Sequence, residues 1–165
     1  MSADFTQPLI TAWASQRDYA DRLTSDLTPE QVFQTPPGGV VMNHPAWVLC
    51  HLTAYAPILG AMLRGESPDD PLDHPYGKQS TPTLDQGAYP AWETVRADYL
   101  STHDVVPGAL EFARSDTLNA PPSIVRFRDR WSALSGVVVH LMIHHECVHL
   151  GQLSAWRRVC GLPSV

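Results

Sequence analysis

The 165-residue sequence predicts an all-α fold, a four-helix bundle contained in a single domain that spans residues 1–165. Apolar residues recur at helical spacing in several long segments, and the apolar–polar alternation typical of strands is nearly absent. Stretches rich in proline and glycine separate these segments and mark the connections. The length is in the usual range for one domain and is enough to bury a core without disulfides.

The first half of the chain predicts two helices. Helix one is expected from about Asp4 to Leu27, where apolar residues recur four to six positions apart. Thr28–Gln31 is a good helix start, but the proline- and glycine-rich run after it limits it to a short turn. Asn43 is predicted to cap a second helix, which has Pro45 in its first turn and an apolar stripe that continues to Gly65.

The second half predicts a long connection and two more helices. From Gly65 to Pro90 the sequence has no sustained period, and a loop of this length is usually functional or a crossover between helix ends. A third helix begins near the end of that loop, and Pro107–Gly108 breaks or kinks it. Ser123–Phe127 fits a short extended piece. The fourth helix, the longest, is expected from about Arg130 to Val159 and stops before Gly161–Pro163.

The composition indicates a soluble protein of the cytoplasm. With 44% hydrophobic and 17% charged residues, the chain is neither a disordered tail nor a membrane protein, and we expect no apolar run near the roughly 20 residues of a bilayer span. The first eight residues carry an acid and a proline instead of the basic and apolar parts of a secretory signal, so export is not expected. The odd cysteine count favours reduced thiols. These cysteines are Cys50, Cys147 and Cys160.

The charge distribution excludes one class of partner and leaves histidine as the unusual feature. The formal net charge is −6, and the basic residues are scattered except for a modest group at Arg126, Arg128 and Arg130. Nucleic acid would find no strong electrostatic footprint on such a chain. The sequence has eight histidines, and four of them fall within ten residues: His140, His144, His145 and His149. We expect the chemistry of the protein there.

His145-Glu146-Cys147-Val148-His149 matches the H-E-x-x-H pattern, in which two imidazoles project from one helical face and can bind one metal ion. A zincin takes a third ligand from further along the chain, but no His, Asp or Glu follows His149, which excludes a metallopeptidase. The best placed upstream ligand is His51, which shares an interior-facing stripe with Trp47 and Tyr55. Three protein ligands leave coordination positions open to water or substrate, the usual condition of a catalytic site.

A rival pair of ligands exists in the same helix. His140 and His144 are also four residues apart, about 100° round an ideal helix from the first pair. Their stripe continues through small and polar residues and resembles a solvent or subunit-contact face, whereas the stripe of His145 and His149 is mostly apolar. This difference favours His145 and His149 as the ligands.

Four polar residues near these positions each have two interpretations. His44 is a polar group at the mouth of a pocket or, as we favour, part of a helix start. Glu146 is a general base or the partner in a salt bridge, and we assign it no catalytic role. Cys147 is a reactive thiol or, more commonly for a helical cysteine, a packing residue. Gln152 hydrogen-bonds a ligand or serves as a polar core residue.

Two blocks of the sequence resemble one known family. The first is Asn43–Leu52, and the second is His145–Leu153, which is followed by Arg157-Arg158 and Gly161-Leu162-Pro163. Together they are similar to the DinB/YfiT-like metalloenzymes, and the resemblance extends over most of the chain. An H-x-x-x-H-x-G-Q-L block together with an upstream helical histidine is fairly specific, whereas either feature alone would be weak.

The resemblance implies a site, a topology and a chemistry. In that family one histidine of the second helix and a pair in the last helix bind the metal, which corresponds to His51, His145 and His149. It also implies an up-down-down-up bundle, often a homodimer, with the stretch after Gly65 as the crossover loop. Characterised relatives include thiol-dependent transferases and a thiol-dependent maleylpyruvate isomerase, so the resemblance implies a low-molecular-weight thiol as a second cofactor.

Two functions fit these features. The first is a metal-dependent S-transferase or isomerase that acts on a small electrophile, in which the ion polarises an oxygen or activates a water or thiolate. The second is a non-catalytic metal-binding stress-response bundle, in which the ion ties the second helix to the last. Three imidazoles suit several first-row ions, and we expect zinc or nickel, with iron and manganese as alternatives.

Overall fold

The computed structural model describes residues 5–165, and over that range the chain forms helices, turns and loops without a β-strand. The helices are α1 (Thr6–Thr24), α2 (Pro45–Leu63), α3 (Trp92–His103), α4 (Val105–Glu111), α5 (Ser115–Asn119), α6 (Val125–Arg128), α7 (Leu134–Val139) and α8 (Glu146–Val159). Short 3-10 turns lie at Gln31–Phe33, Pro71–Asp73 and Gln86–Ala88. The predicted all-α class is therefore confirmed. The expected start of helix one near Asp4 lies outside the described residues.

Helix α2 begins one residue after the predicted position, because His44 and not Asn43 is its cap. Nδ1 of His44 accepts a hydrogen bond from the backbone N–H of Trp47 at 3.4 Å, and Pro45 occupies the first helical position. Proline suits this position because its missing N–H would have no partner there. Beyond the other end of α2, Gly65 adopts a φ of +80°, which favours glycine.

The apolarity of α2 comes from its central place in the core. Its 19 residues have a mean hydropathy of 1.5 and are long and apolar enough to cross a membrane, which corrects our expectation that no run approaches that length. However, 72% of this apolar stretch of α2 is buried against the rest of the chain. The core helix of a soluble protein has the same length and composition, and the burial of α2 fits that class.

The helices pack around α2 and α1. Helix α2 contacts α3, α4 and the last helix, while α1 contacts α8. One part of the core surrounds Trp47 and Trp156, and the other surrounds Leu59 and Met142. Leu59 and Met142 are 0% exposed, and full burial of such a side chain contributes roughly 1.5–3 kcal/mol relative to its exposure.

The predicted third helix is divided at Asp104, within one turn before Pro107. Helix α3 ends at His103, and Pro107 lies in the first turn of α4, where a missing N–H is tolerated. Proline at this position leaves the backbone carbonyl of His103 without an intrahelical donor, and the indole Nε1 of Trp13 donates to that oxygen at 2.9 Å. The break therefore occurs before the proline, where a side chain of α1 replaces the lost hydrogen bond.

Two further expectations are corrected in the segment that leads to the last helix. Val125–Arg128 forms the short helix α6 and not an extended piece, with Ile124 and Phe127 buried in the core. The last helical segment starts at Leu134, a few residues after the predicted start near Arg130, because Ala133 has extended backbone angles of φ −135° and ψ 151°.

A π-helical segment, His140–His145, joins α7 to α8 in one continuous helix. A π-helical turn contains one residue more than an α-helical turn and is often found at functional sites. The backbone carbonyl of Met142 within this segment accepts a hydrogen bond from Nε2 of Gln16 in α1 at 3.0 Å. No feature of the apolar periodicity predicts this segment, which lies immediately before α8.

The end of α8 is fixed by Arg157, whose side chain is 1% exposed. Its guanidinium donates to both carboxylate oxygens of Asp26 at 2.6 and 2.7 Å, to the carbonyl of Leu23, and to the carbonyl of Pro163. This ion pair lowers the pKa of Asp26 below its usual range. Arg157 therefore connects α8 to the end of α1 and to the turn that follows α8.

Candidate metal centre

The structure brings His51, His145 and His149 together. Nε2 of His51 lies 3.0 Å from Nε2 of His145, and one ligand atom from each of the three imidazoles lies within 4.8 Å of the others. His51 comes from the middle of α2, His145 ends the π-helical segment, and His149 lies in the first turn of α8. Within residues 5–165 this is the one group of three or more His, Cys, Asp or Glu side chains with such spacing.

Backbone and side-chain acceptors orient two of the three rings. Nδ1 of His51 lies 2.6 Å from the carbonyl oxygen of Tyr76, and a carbonyl only accepts, so the Nδ1 of His51 carries the proton. Nδ1 of His149 lies 2.9 Å from Oε1 of Gln152, which also accepts from Nδ2 of Asn43 at 2.9 Å. Both imidazoles therefore present an unprotonated Nε2, as in metal sites where an outer oxygen fixes the tautomer of the ligand.

The geometry fits a metal ion. Two nitrogen lone pairs at 3.0 Å repel one another unless a proton or a cation lies between them. In a tetrahedral zinc site with Zn–N bonds of about 2.0–2.1 Å, neighbouring nitrogens are about 3.3 Å apart. The separation between His51 and His145 is thus within a few tenths of an ångström of that value. The donor set of three imidazoles suits zinc, nickel, iron and manganese.

Burial keeps the three imidazoles neutral. It lowers the pKa of His51 to about 4 and that of His145 to about 2, and in each case the neighbouring His149 lowers the value further. The pKa of His149 is also lowered, mainly by burial. A neutral imidazole is the form that binds a metal ion, so near pH 7 the site does not have to lose protons before it binds one.

These shifts predict that the metal-free protein becomes less stable as the pH falls from about 6.5 towards 4. In the unfolded chain the histidines take up protons near pH 6.5, whereas His51 and His145 stay neutral in the fold, so the unfolded state binds more protons in this window. We expect a lower urea midpoint at about pH 5 than at pH 7. His145→Gln should show a smaller decrease, and equal decreases in the two proteins would contradict this origin.

A cavity of about 300 Å³ opens beside the three histidines. The ring of Trp47 stacks on His51 with centroids 4.7 Å apart and an interplanar angle of 16°. Twelve residues line this cavity: Trp47, His51, Tyr55, Lys78, Arg126, Phe127, Arg130, Trp131, His140, Leu141, His145 and His149. A small molecule in this space would contact the imidazoles directly.

The long loop between α2 and α3 is held against the site by side chains of α2 and its cap. Nε2 of His44 hydrogen-bonds the carbonyl of Thr83 at 2.9 Å, and Nε1 of Trp47 donates to Oγ of Ser80 at 3.2 Å. The hydrogen bond of His51 to Tyr76 adds a third connection. The cap role favoured for His44 is therefore confirmed, and the same side chain anchors the loop.

Gly77 has no room for a side chain, which gives a test of the loop. A Cβ atom there would lie 1.9 Å from the carbonyl oxygen of Pro71 and 2.8 Å from that of Leu72, so Gly77→Ala must move the backbone next to Tyr76. We expect about a tenfold loss of metal affinity, measured by chelator competition, because the oxygen that orients His51 shifts. Gly151→Ala is the matched control, since nothing lies within 4 Å of its added Cβ. Equal affinity in the two variants would contradict this role of the loop.

Glu146 lies in the core and is not one of the three residues whose ligand atoms converge. Its Oε1 accepts hydrogen bonds from the hydroxyl of Tyr99 at 2.6 Å and from Nε2 of His103 at 3.0 Å. The side chains of Glu146 and His103 are 2% and 1% exposed. Of the two interpretations of Glu146, the structure supports the salt bridge.

The rival histidine pair is split between two environments. His144 and Cys147 are exposed, as their stripe predicts, but His140 is half-buried and lines the cavity. The rings of His140 and His144 stack with centroids 5.2 Å apart. The stripe is therefore exposed at His144 and Cys147, as expected for a solvent face, whereas His140 departs from it. The π-helical segment changes the direction of these side chains relative to an ideal α-helix.

Several cavity residues carry no signal of function in the sequence. Lys78 lies in a loop without periodicity, and Trp131 resembles an ordinary core aromatic. Arg126 and Arg130 stand out only as part of a modest basic group, although their spacing of four residues would place them on one side of a helical turn. The structure brings all four residues to the cavity that the histidines line.

The helical fold and the three convergent histidines beside a cavity define the class of this protein. It is a helical protein with a candidate metal centre. A family model described as the DinB superfamily matches residues 12–153, and the chain belongs to this superfamily. The match includes all three histidines, whereas Arg157 and the turn after α8 lie beyond it. Comparisons with curated proteins and with solved structures gave no significant match.

Proposed function

We propose that this protein is a metal-dependent enzyme, either an S-transferase or an isomerase. It acts on a small electrophile with the help of a low-molecular-weight thiol. His51, His145 and His149 hold one divalent ion, zinc or nickel in preference to iron or manganese. The observation that carries the proposal is the convergence of three imidazoles, two of them buried and that of His145 partly buried, at the wall of a cavity of about 300 Å³. A purely structural zinc site is normally closed by four protein ligands.

The bound ion would supply a Lewis acid that lowers the pKa of a thiol or water. The protein's own residues hold and shape the site around it. The carbonyl of Tyr76 and the amide of Gln152 keep the ring orientations of His51 and His149. Burial raises the pKa of Tyr55, so its hydroxyl stays protonated and can donate a hydrogen bond to an oxygen of the substrate in the cavity.

The finer architecture belongs to the same proposal. We propose one domain over residues 1–165 with up-down-down-up topology, in which the loop between α2 and α3 is the crossover. The contacts of α2 with α3 and α4 and of α1 with α8 support this arrangement. A cytoplasmic location is supported by Cys50, Cys147 and Cys160, which are all free thiols. Because of the family resemblance, we propose that the protein forms a homodimer. We propose neither nucleic acid nor a membrane as a partner.

The test begins with elemental analysis of protein purified without an affinity tag. We expect about one equivalent of a divalent first-row metal per chain. Cobalt(II) is then substituted, and bacillithiol, mycothiol and glutathione are titrated in turn while the absorption spectrum is recorded. A thiolate-to-cobalt charge-transfer band with at least one of them, followed by conjugation of a small electrophile, is the expected result.

Two results would overturn the proposed enzyme. The first is a protein that binds no stoichiometric divalent ion. The second is a cobalt spectrum that no thiol alters and that also shows no exchange of a bound water. The second result would leave the non-catalytic metal-binding bundle as the better account, because the ion would then serve only to tie α2 to α8.

A further inference from the structure

The cavity beside the histidines has a cationic wall, although the chain as a whole carries a formal net charge of −6. Lys78 comes from the loop between α2 and α3, Arg126 lies in α6, and Arg130 follows it. The facing imidazoles of His51 and His145 are neutral near pH 7. Three positive side chains therefore cluster at this cavity, although the net charge of the protein is negative.

Asp70 forms an ion pair with Arg126, and the charge of Lys78 also acts on this carboxylate. Asp70 accepts hydrogen bonds from Nε and Nη2 of Arg126 at 2.6 to 3.2 Å, which orients that guanidinium at the cavity. Lys78 and Arg130 form no ion pair within residues 5–165. Three positive side chains and one carboxylate leave a local charge of +2.

Arg130 is exposed, but an aromatic ring keeps its side chain next to the cavity. Its guanidinium carbon lies 5.0 Å from the centroid of the Trp131 ring, a cation–π contact that holds it beside the cavity. The field of these charges also reaches His140 on the cavity wall. The pKa of His140 is lowered to about 4, first by burial and then by His144, Arg130 and Arg126. Cations at a cleft with low-dielectric walls attract anions more strongly than the same charges on an open surface.

From this wall we infer that the molecule bound next to the three histidines carries a carboxylate, which Arg130, Arg126 and Lys78 hold while its reacting end faces the imidazoles. The planar guanidinium matches the two oxygens of a carboxylate with two parallel hydrogen bonds. A cavity of about 300 Å³ has the size of a site for a small molecule. The inference rests on the proposed use of this cavity as the substrate site.

Succinate titrated into the full-length protein by isothermal calorimetry tests the inference. Metal-free and zinc-loaded protein should both bind it, and added salt should weaken the binding. Arg130→Gln and Lys78→Gln should each raise the dissociation constant about tenfold, because a charged hydrogen bond is lost. Arg158→Gln, which removes an exposed charge of α8 outside the cavity, should leave the constant unchanged. Circular dichroism melting checks that the variants are folded.

Two results would overturn the carboxylate site. One is a wild-type protein that binds no succinate, and the other is an affinity that stays within twofold in both cavity variants. These failures are distinguishable from failure of the proposed function, because succinate binding to metal-free protein needs no ion. If metal and thiol binding hold while Arg130→Gln changes nothing, only the carboxylate site is wrong. If no metal binds but succinate does, only the proposed enzyme is wrong.

The carboxylate has two possible sources, the electrophile or the thiol, and a second titration separates them. Cobalt-substituted protein is titrated with 3-mercaptopropionate and with the neutral 2-mercaptoethanol. Tighter binding of the first, lost in Arg130→Gln, supports the site and assigns the carboxylate to the thiol. Equal binding of the two thiols alongside bound succinate supports the site and assigns the carboxylate to the electrophile.

Discussion

Replacement of His51 by alanine is expected to lower the affinity of the protein for its divalent ion by at least about 100-fold, since loss of an outer partner alone costs 10- to 100-fold. The variant removes the only candidate ligand that α2 supplies, so an ion would be held by His145 and His149 of one helical segment alone. Competition with a chromophoric chelator, on protein without an affinity tag, measures the change.

His144→Ala is the matched control for this experiment. His144 belongs to the same histidine-rich segment as His145, but it is exposed and lies outside the group of convergent nitrogens. Its loss should leave the metal affinity within a factor of about two. If His51→Ala keeps full stoichiometry and affinity, the three-histidine site is wrong, whatever the cause of the convergence.

Glu146→Ala is expected to destabilise the fold by about 3–5 kcal/mol, the cost of removing one partner from a buried charge pair. Nε2 of His103 donates to Glu146, and Nδ1 lies 2.9 Å from the carbonyl of Tyr99, so both nitrogens face acceptors and the imidazole donates from both. Without the carboxylate, Nε2 of His103 and the hydroxyl of Tyr99 lose their shared acceptor in the core. Urea denaturation at pH 7 measures the free energy of unfolding.

Tyr99→Phe provides the comparison, because it removes one hydrogen bond to Glu146 and keeps the ion pair with His103. It should cost only about 1–2 kcal/mol. A Glu146→Ala variant that unfolds with nearly the wild-type free energy would contradict the structural role. If such a variant also lost all activity, the general-base interpretation of Glu146 would return.

The three candidate ligands were predictable because their signals are periodic. His145 and His149 are four residues apart in a helix, and His51 lies in the apolar stripe of another helix. A stripe that is buried brings its polar members into the core along with its apolar ones. The environment of His140 was not predictable in this way, because a helical wheel assumes uniform α geometry and the π-helical segment interrupts it.

The cationic wall depends on contacts between residues that are distant in sequence. Arg126 is oriented by Asp70, a residue of the loop between α2 and α3, 56 positions away. Lys78 reaches the cavity because side chains of α2 hold the same loop. Local patterns give the helices and their buried faces, whereas the position of an irregular loop follows from tertiary hydrogen bonds that no local pattern encodes.

The π-helical turn at residues 140–145 couples the conformation of the backbone to the binding of an ion by the histidines. If this turn relaxed to regular α geometry, everything after it would rotate by about 100° relative to α7. The imidazole of His149 would then leave the cavity, or the apolar residues of α7 would leave the core. An ion that bridges α2 and α8 opposes this rotation, so ion binding and the wider turn must stabilise one another by the same free energy.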